Sequence, residues 1–260
     1  MVDLTIITVC KNAESTITSL LRSLECQIDQ DFIHLIIDGS STDRTLDIVK
    51  TEFNSKNRLI VSELDHGIFD AMNKGIELCS TSFFMFLNAD DELINRHATS
   101  VINSHIKSTN KLLNIFGICY SHRENMAKSV IFYPPRQLVA NDILIDKSLR
   151  RAPHPSSVYK KCDIRFKTDY KYAADLYFTL EYAKLRSVAT HDQVISQMYR
   201  SNEQFSHFNR IAVRKESEII CENFCHRSID RLGNIYRLGC WLFKNRKSVT
   251  KQAIRRLTDN

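Results

Sequence analysis

The sequence predicts an α/β protein built on an open twisted sheet, mostly parallel with mixed additions, flanked by helices and followed by a helical basic C-terminal extension. Three observations carry this expectation. Apolar, β-branched runs alternate with helix-period segments over the first 90 or so residues. That strand–helix–strand order requires parallel pairing, right-handed crossovers and helices on both sheet faces. Polar residues also collect directly after each apolar run, and ligands of such sheets bind beyond the carboxyl ends of the strands.

Each element has its own signal. Leu4–Val9 (LTIITV) is an uninterrupted apolar strand. Residues 15–24 place Ile17, Leu20, Leu21 and Leu24 on one helical face, with Ser15 or Asn12 available as cap. Phe32–Ile37 is the second strand. Ser41 and Thr42 open a second helix with Leu46, Val49 and Phe53 on its face. Leu59–Ser62, a helix over Ile68–Cys79 and a fourth strand over Phe83–Leu87 complete the regular part. Beyond it the pattern weakens. Leu93–Ile106 is helical, Leu112–Tyr120 and Ser129–Tyr133 are added strands, and Tyr172–Arg186 is a helix with Asp175 near its start. Residues 208–260 read as two or three helices. Residues 1–205 are therefore expected to form one sheet-based domain, split near residue 95, and 206–260 a basic helical region.

Composition narrows the class. With 260 residues, 43% apolar and 25% charged, the chain can bury a full core. No apolar run approaches the roughly 18 residues that cross a bilayer. The N-terminus carries an acid, Asp3, where a signal peptide has lysines, which predicts a cytoplasmic protein. The eight cysteines are scattered and read as reduced core thiols rather than a disulfide framework. Cys221-x3-Cys225-His226 has helical spacing and no second pair, so an ordinary helix face is expected instead of zinc. Residues 205–260 hold twelve Lys/Arg against five Asp/Glu, which leaves a net −1 for the rest of a +6 chain. Such a region suits an anionic membrane surface or a polyphosphate, or it is a solvated helix face. Aromatics are not interleaved with these basic residues, which argues against nucleic acid.

The chemistry-bearing residues sit at strand ends. Lys11 and Asn12 follow the first strand, Asp38 the second, Asp65 and His66 the third, and Asn88-Ala89-Asp90-Asp91 the fourth. Carboxylates held just past a buried strand offer a hard divalent cation oxygen ligands, with room for waters and phosphates; taken alone, the same segment is an acidic turn. Asp38, before Gly39-Ser40-Ser41, can accept the imide N–H of a uracil lying on the glycine backbone, or it is an Asx-type cap. Asp43 is read as a first-turn helix acid. Asp70, Asn73 and Lys74 share a helix face that can hold sugar hydroxyls or a diphosphate; alternatively Asp70 and Lys74 are a surface i,i+4 pair.

ITVCKN, IIDGSSTDRT, HGIFDAMNKGI and FMFLNADDEL occur in this order. Together they resemble the inverting family-2 glycosyltransferases of the GT-A fold, and more narrowly the bacterial enzymes of colanic acid, O-antigen and capsule assembly. The resemblance is specific over about residues 1–95, fair over 151–200 and absent beyond about 210. It implies donor contacts at Thr8, Val9, Asn12, Asp38, Asp70, Asn73, Lys74, Asn88, Ala89, Asp90 and Arg200. The family's metal-binding Asp-x-Asp falls on Asn88-Ala89-Asp90, with an amide replacing the first acid. This puts a Mg²⁺ or Mn²⁺ on Asp90, with Asp91 as a second candidate and Asn88 on the ribose or a bound water. The implied general base is Asp175, in Ala173-Ala174-Asp175, where many members carry Glu-Asp; its bland reading is a dipole-stabilised helix acid. His154, in the stiff loop Arg151-Ala152-Pro153-His154-Pro155, resembles an acceptor-side histidine. Tyr199-Arg200 and Gln204-Phe205-Ser206 lie where relatives close a loop over the diphosphate. Trp241, among Arg237, Lys244, Arg246 and Lys247, is an interfacial anchor or a packing residue.

The expectation is therefore an inverting transferase that uses a nucleotide sugar, with UDP favoured. Its acceptor is a lipid-linked oligosaccharide, and it works peripherally on the inner membrane. Two alternatives stand beside it: a sugar nucleotidyltransferase, disfavoured because Lys11-Asn12-Ala13-Glu14 is no Gly-rich phosphate loop, and a non-catalytic nucleotide-binding module.

Overall fold

A computed structural model describes residues 2–51, 56–121, 129–134, 153–199 and 209–227, with side chains to residue 224. Nine strands form one sheet: β1 (Leu4–Cys10), β2 (Ile33–Asp38), β3 (Arg58–Ser62), β4 (Phe83–Phe86), β5 (Asp91–Leu93), β6 (Leu113–Ser121), β7 (Val130–Phe132), β8 (Ser157–Lys160) and β9 (Val188–Tyr199). The helices are α1 (Ile17–Glu25), α2 (Thr45–Thr51), α3 (Ile68–Leu78), α4 (Ala98–Thr109), α5 (Ala174–Lys184) and α6 (Arg210–Arg227). The strand order is β3-β2-β1-β4-β8-β6-β9-β5, with β7 beside β6. β3, β2, β1 and β4 pair in parallel, as the sequence predicts. β8 then enters antiparallel between β4 and β6, so half of the strand pairings among the described residues are parallel.

Both faces of β1 and β4 are buried, which is why they read as unbroken apolar runs. Leu4, Ile6, Ile36, Phe83 and Met85 pack under Leu20, Leu21 and Leu24 of α1, Ile48 and Val49 of α2, and Ile102 and Ile106 of α4. Ile7, Val9, Ile37, Phe84 and Phe86 face Met72 and Ile76 of α3, Phe178 and Tyr182 of α5, and Ile220 and Phe224 of α6. α3 lies so close to β1 that a Cβ on Gly75 would come within 2.6 Å of Ile7 Cγ2. Phe178 stacks on Phe166 at 4.1 Å and lies edge-on to Tyr159, which itself stacks on Phe84. This aromatic column fixes α5 against the sheet. α6 joins the same core, with Cys221 buried beside Ile220. Among the described residues, no helix is long and apolar enough to cross a membrane.

Several element expectations are corrected. α1 starts at Ile17 with no side-chain cap bond; Asn12 instead takes a left-handed φ of 52° and bonds across to the next strand's loop. α2 starts at Thr45, not at Ser41 or Thr42, because Ser41 is engaged by Asp38. Asp43 lies before this helix rather than in its first turn, and its Oδ1 accepts from the Thr45 amide and hydroxyl. α4 begins at Ala98, since Asp91–Leu93 pairs with β9 as a strand. β8 and β9 had no counterpart in the sequence reading.

Candidate active site

The carboxyl ends of β1 to β4 form a rim stitched together by side chains. The Thr42 amide donates to Asn12 Oδ1 at 2.8 Å, and the Asn12 amide donates to Ser41 Oγ at 2.8 Å. Asp38 closes the same loop. Its Oδ2 accepts from the Ser41 amide (3.0 Å) and the Ser62 hydroxyl (2.6 Å), and its Oδ1 from the Ser41 hydroxyl (2.5 Å). The Cys10 thiol also faces it, and burial together with that carboxylate pushes the thiol up to about 12, so it stays protonated.

Beside this loop the Asp65 carboxylate packs against the Gly39 backbone where a Cβ would stand, with the Lys11 side chain alongside. The bare glycine thus lets an acid and a cation approach the rim closely. Asp65 Oδ1 accepts from the Gly67 amide, which leaves Oδ2 on the Gly39 side. The sequence reading placed Asp65 at a strand end without making it a site residue; its signal was the Asp-x-Gly turn before α3.

At the end of β4 the chain turns through Asn88-Ala89-Asp90 into β5. Ala89 is buried in this turn. Among the described residues no hydrogen bond or ion pair engages the half-buried Asp90. Asn88 Oδ1 and Asp91 Oδ1 are buried and lack a hydrogen-bond partner. Asn88 Nδ2 lies 2.9 Å from His154 Nε2, and His154 Nδ1 lies 3.9 Å from Asp175 Oδ2. Residues 88, 154 and 175 thus form one line from the β4 turn, through the 3₁₀ turn His154–Ser156, to the first turn of α5.

Burial sets the charges along this line. It holds the His154 imidazole down to about 4 and pushes the Asp175 carboxyl up to about 6, opposed by the Leu176 amide bond. Their side chains keep 17% and 26% exposure, so a solute can reach them. The His154–Asp175 spacing falls within ion-pair range, yet a neutral imidazole at that distance is a dipolar neighbour and no salt bridge. Asp175 then holds a negative charge at neutral pH with a raised proton affinity, the property required of a base.

The oxygen donors at the β4 turn fit a hard divalent cation. Asp90 is partner-free, an orphaned amide oxygen lies two residues away, and such an ion takes few protein oxygens with the remainder from phosphate and water. Among the described residues no three His, Cys, Asp or Glu gather into a preformed cage.

Other expectations are corrected. Asp91 is 1% exposed and held well above the usual carboxylate range by burial and by Asp90. Thr8 is fully buried within β1; its hydroxyl contacts His34 Nε2 and donates to the Leu87 carbonyl. The Val9 side chain is core. Asn73 grips the backbone of Phe166, accepting from its N–H and donating to its C=O. Lys74 donates to the Leu64 carbonyl and pairs with Glu63 and Asp70, while Asp70 accepts from the His66 amide. These groups hold the loop before α3. Asp38 is likewise fully buried and saturated, which favours its Asx-type reading. Arg200, the loop 204–206 and Trp241 with its basic neighbours lie outside the described residues.

A twisted open sheet with a metal-competent turn after β4 and a carboxylate across from it defines a protein of the GT-A type. The Glycosyl transferase family 2 model matches residues 5–153, and the chain belongs to that family. It is 39% identical over 84 residues to a PGL/p-HBAD biosynthesis glycosyltransferase of Mycobacterium tuberculosis, covering 32% of this chain and 33% of that protein. It is 28% identical over 190 residues to the teichoic acid poly(glycerol phosphate) polymerase of Staphylococcus epidermidis, covering 70% of this chain and 26% of the other. The matched part thus spans about a third or less of these curated relatives. Among solved structures, S. aureus TarS 1-349 in complex with UDP-GlcNAc superposes with a TM-score of 0.65 at 19% identity, over 88% of this chain and 74% of that one.

Proposed function

We propose that this chain transfers a sugar, with inversion, from a UDP-sugar to a hydroxyl of a lipid-linked oligosaccharide in bacterial surface polysaccharide assembly. The carrying observation is the line from Asn88 through His154 to Asp175. It supports the reading by connecting a carboxylate of raised proton affinity to the turn that carries Asp90. The nucleobase sits at the strand rim beside Gly39, Lys11 and Asp65. Asp90 would hold a divalent cation. A bound Mg²⁺ or Mn²⁺ supplies neutralisation of the charge that develops on the departing diphosphate.

Asp175 takes the proton of the acceptor hydroxyl. The freed oxygen pair forms the new bond to the anomeric carbon from the face opposite the donor oxygen. The carbon–oxygen bond to the β-phosphate breaks, and its electrons leave with the nucleoside diphosphate. One carboxylate suffices, because inversion needs no enzymic nucleophile. His154 stays neutral and lines the acceptor side. The +7 balance of residues 205–260 supports peripheral attachment to the anionic cytoplasmic face of the inner membrane.

Thermal unfolding of the purified chain with UDP, GDP and TDP, each with and without Mn²⁺, tests the donor reading. UDP with Mn²⁺ is expected to stabilise most, and indifference to all three would end the proposal. In parallel, Asp175→Asn should lower turnover by at least about 10²-fold with UDP affinity unchanged; an equal loss of affinity refutes the base.

A further inference from the structure

The start of α5 poses a capping problem. A helix leaves its first amides without intrahelical partners, and the N-cap residue here is Ala173, which has no side-chain acceptor. An acceptor for the N-cap amide and the two amides before it comes from α6. Glu216 Oε1 takes the Lys171 amide at 2.9 Å, and Oε2 takes the Tyr172 and Ala173 amides at 2.6 Å each. One carboxylate therefore clamps three consecutive N–H groups immediately before Asp175, where a helix N-terminus favours negative charge. α6 is anchored for this task by Ile220 and Phe224 in the shared core. It lies beyond residue 153, where the family match ends.

We infer that Glu216 is a positioning residue for Asp175: by clamping the 171–173 backbone it fixes where α5 begins and which way the Asp175 carboxylate faces. This rests on the proposed role of Asp175. The groups facing that carboxylate are His154 on the 3₁₀ turn, Tyr159 on β8, Glu216 on α6 and the Leu176 amide. The charge of Glu216 acts on Asp175 in the same sense as burial, making it more basic. The clamp thus serves both direction and proton affinity.

The test uses the full chain, with UDP plus Mn²⁺ as binding probe and UDP release from a panel of UDP-sugars as turnover. Glu216→Ala should speed amide exchange at residues 171–173 by at least about tenfold. Because misaimed groups lose catalysis steeply, it should also lower turnover by about ten- to a hundredfold with UDP affinity held within about twofold. Glu216→Gln keeps one acceptor oxygen for the Tyr172 and Ala173 amides. It should recover part of the protection and turnover, with the acid limb of the pH profile moved to lower pH. Unchanged exchange in Glu216→Ala overturns the clamp. So does full turnover in that variant when Asp175→Asn is inactive. If Asp175→Asn itself keeps full turnover, the base reading fails, and exchange at 171–173 alone then decides whether Glu216 holds α5. Should the alanine variant not fold, the glutamine variant carries the same comparisons.

Discussion

Replacing Asp175 by asparagine should make the protein more stable and inactive together. In the folded chain burial pushes the Asp175 carboxyl from 3.8 to about 6. A raised acid binds its proton more tightly folded than unfolded, so it favours folding when protonated, below about pH 4. That contribution is lost as pH rises through 6, and above this the native state carries a poorly solvated carboxylate. At about 1.4 kcal/mol for each tenfold change in proton affinity, the penalty approaches about 3 kcal/mol as an upper bound. The side chain keeps 26% exposure, so about 2 kcal/mol is the working figure. Asparagine is isosteric, can keep the Leu176 amide bond through its oxygen, and carries no charge. Urea unfolding at pH 8 should therefore favour Asp175→Asn by about 2 kcal/mol, with the advantage shrinking between pH 6 and pH 4. A variant no more stable than the parent at pH 8 would refute the burial argument, whatever its activity.

The same carboxyl predicts that turnover falls about tenfold for each pH unit below about 6, because only the ionised form accepts a proton; a profile flat to pH 5 would contradict it. Asp90→Ala should abolish the Mn²⁺-dependent part of UDP stabilisation while changing unfolding in buffer by less than about 0.5 kcal/mol, since no described group pairs with Asp90; activity intact in excess chelator would oppose this. Asn73→Ala strands the Phe166 N–H and C=O and should cost about 2–4 kcal/mol in denaturant unfolding with UDP affinity unchanged; the reverse pattern would return Asn73 to the donor site.

What the sequence discloses depends on whether a signal is local. β1 and β4 are legible because a strand buried on both faces reads as a continuous run without charges, as Leu4–Cys10 and Phe83–Phe86 do. β9 is not, because Thr190, His191, Asp192 and Gln193 interrupt any alternation and its pairing partner β6 lies some seventy residues earlier. β5 carries two acids in three residues, and only its pairing with β9 makes it a strand. The site divides in the same way. Asn88, Asp90, His154 and Asp175 could be named from motif context, but their alignment is tertiary. Thr8, Asn73 and Asp38 are ambiguous in sequence because a polar residue near a strand end looks alike whether it faces a ligand or satisfies buried backbone. Glu216 was invisible, since nothing in α6 marks which of its acids reaches Lys171 to Ala173.

The adjacent acids Asp90 and Asp91 show why a motif's letters understate its physics. Alternation along the chain sends their side chains to opposite sides of the turn. Asp91 enters the interior, accepts only the long Asn88 amide contact at 3.3 Å and is pushed toward its neutral form by burial and by Asp90. A carboxyl pushed toward its neutral form behind Asp90 adds less charge than a solvated acid would; it braces the turn by accepting from the backbone N–H of Asn88, the residue whose side-chain amide reaches His154. The pair therefore acts as one charge and one strut. Asp91→Asn, which preserves shape and a neutral state, should accordingly be far milder in UDP–Mn²⁺ affinity than Asp90→Asn, an ordering that two equivalent ligands would not produce.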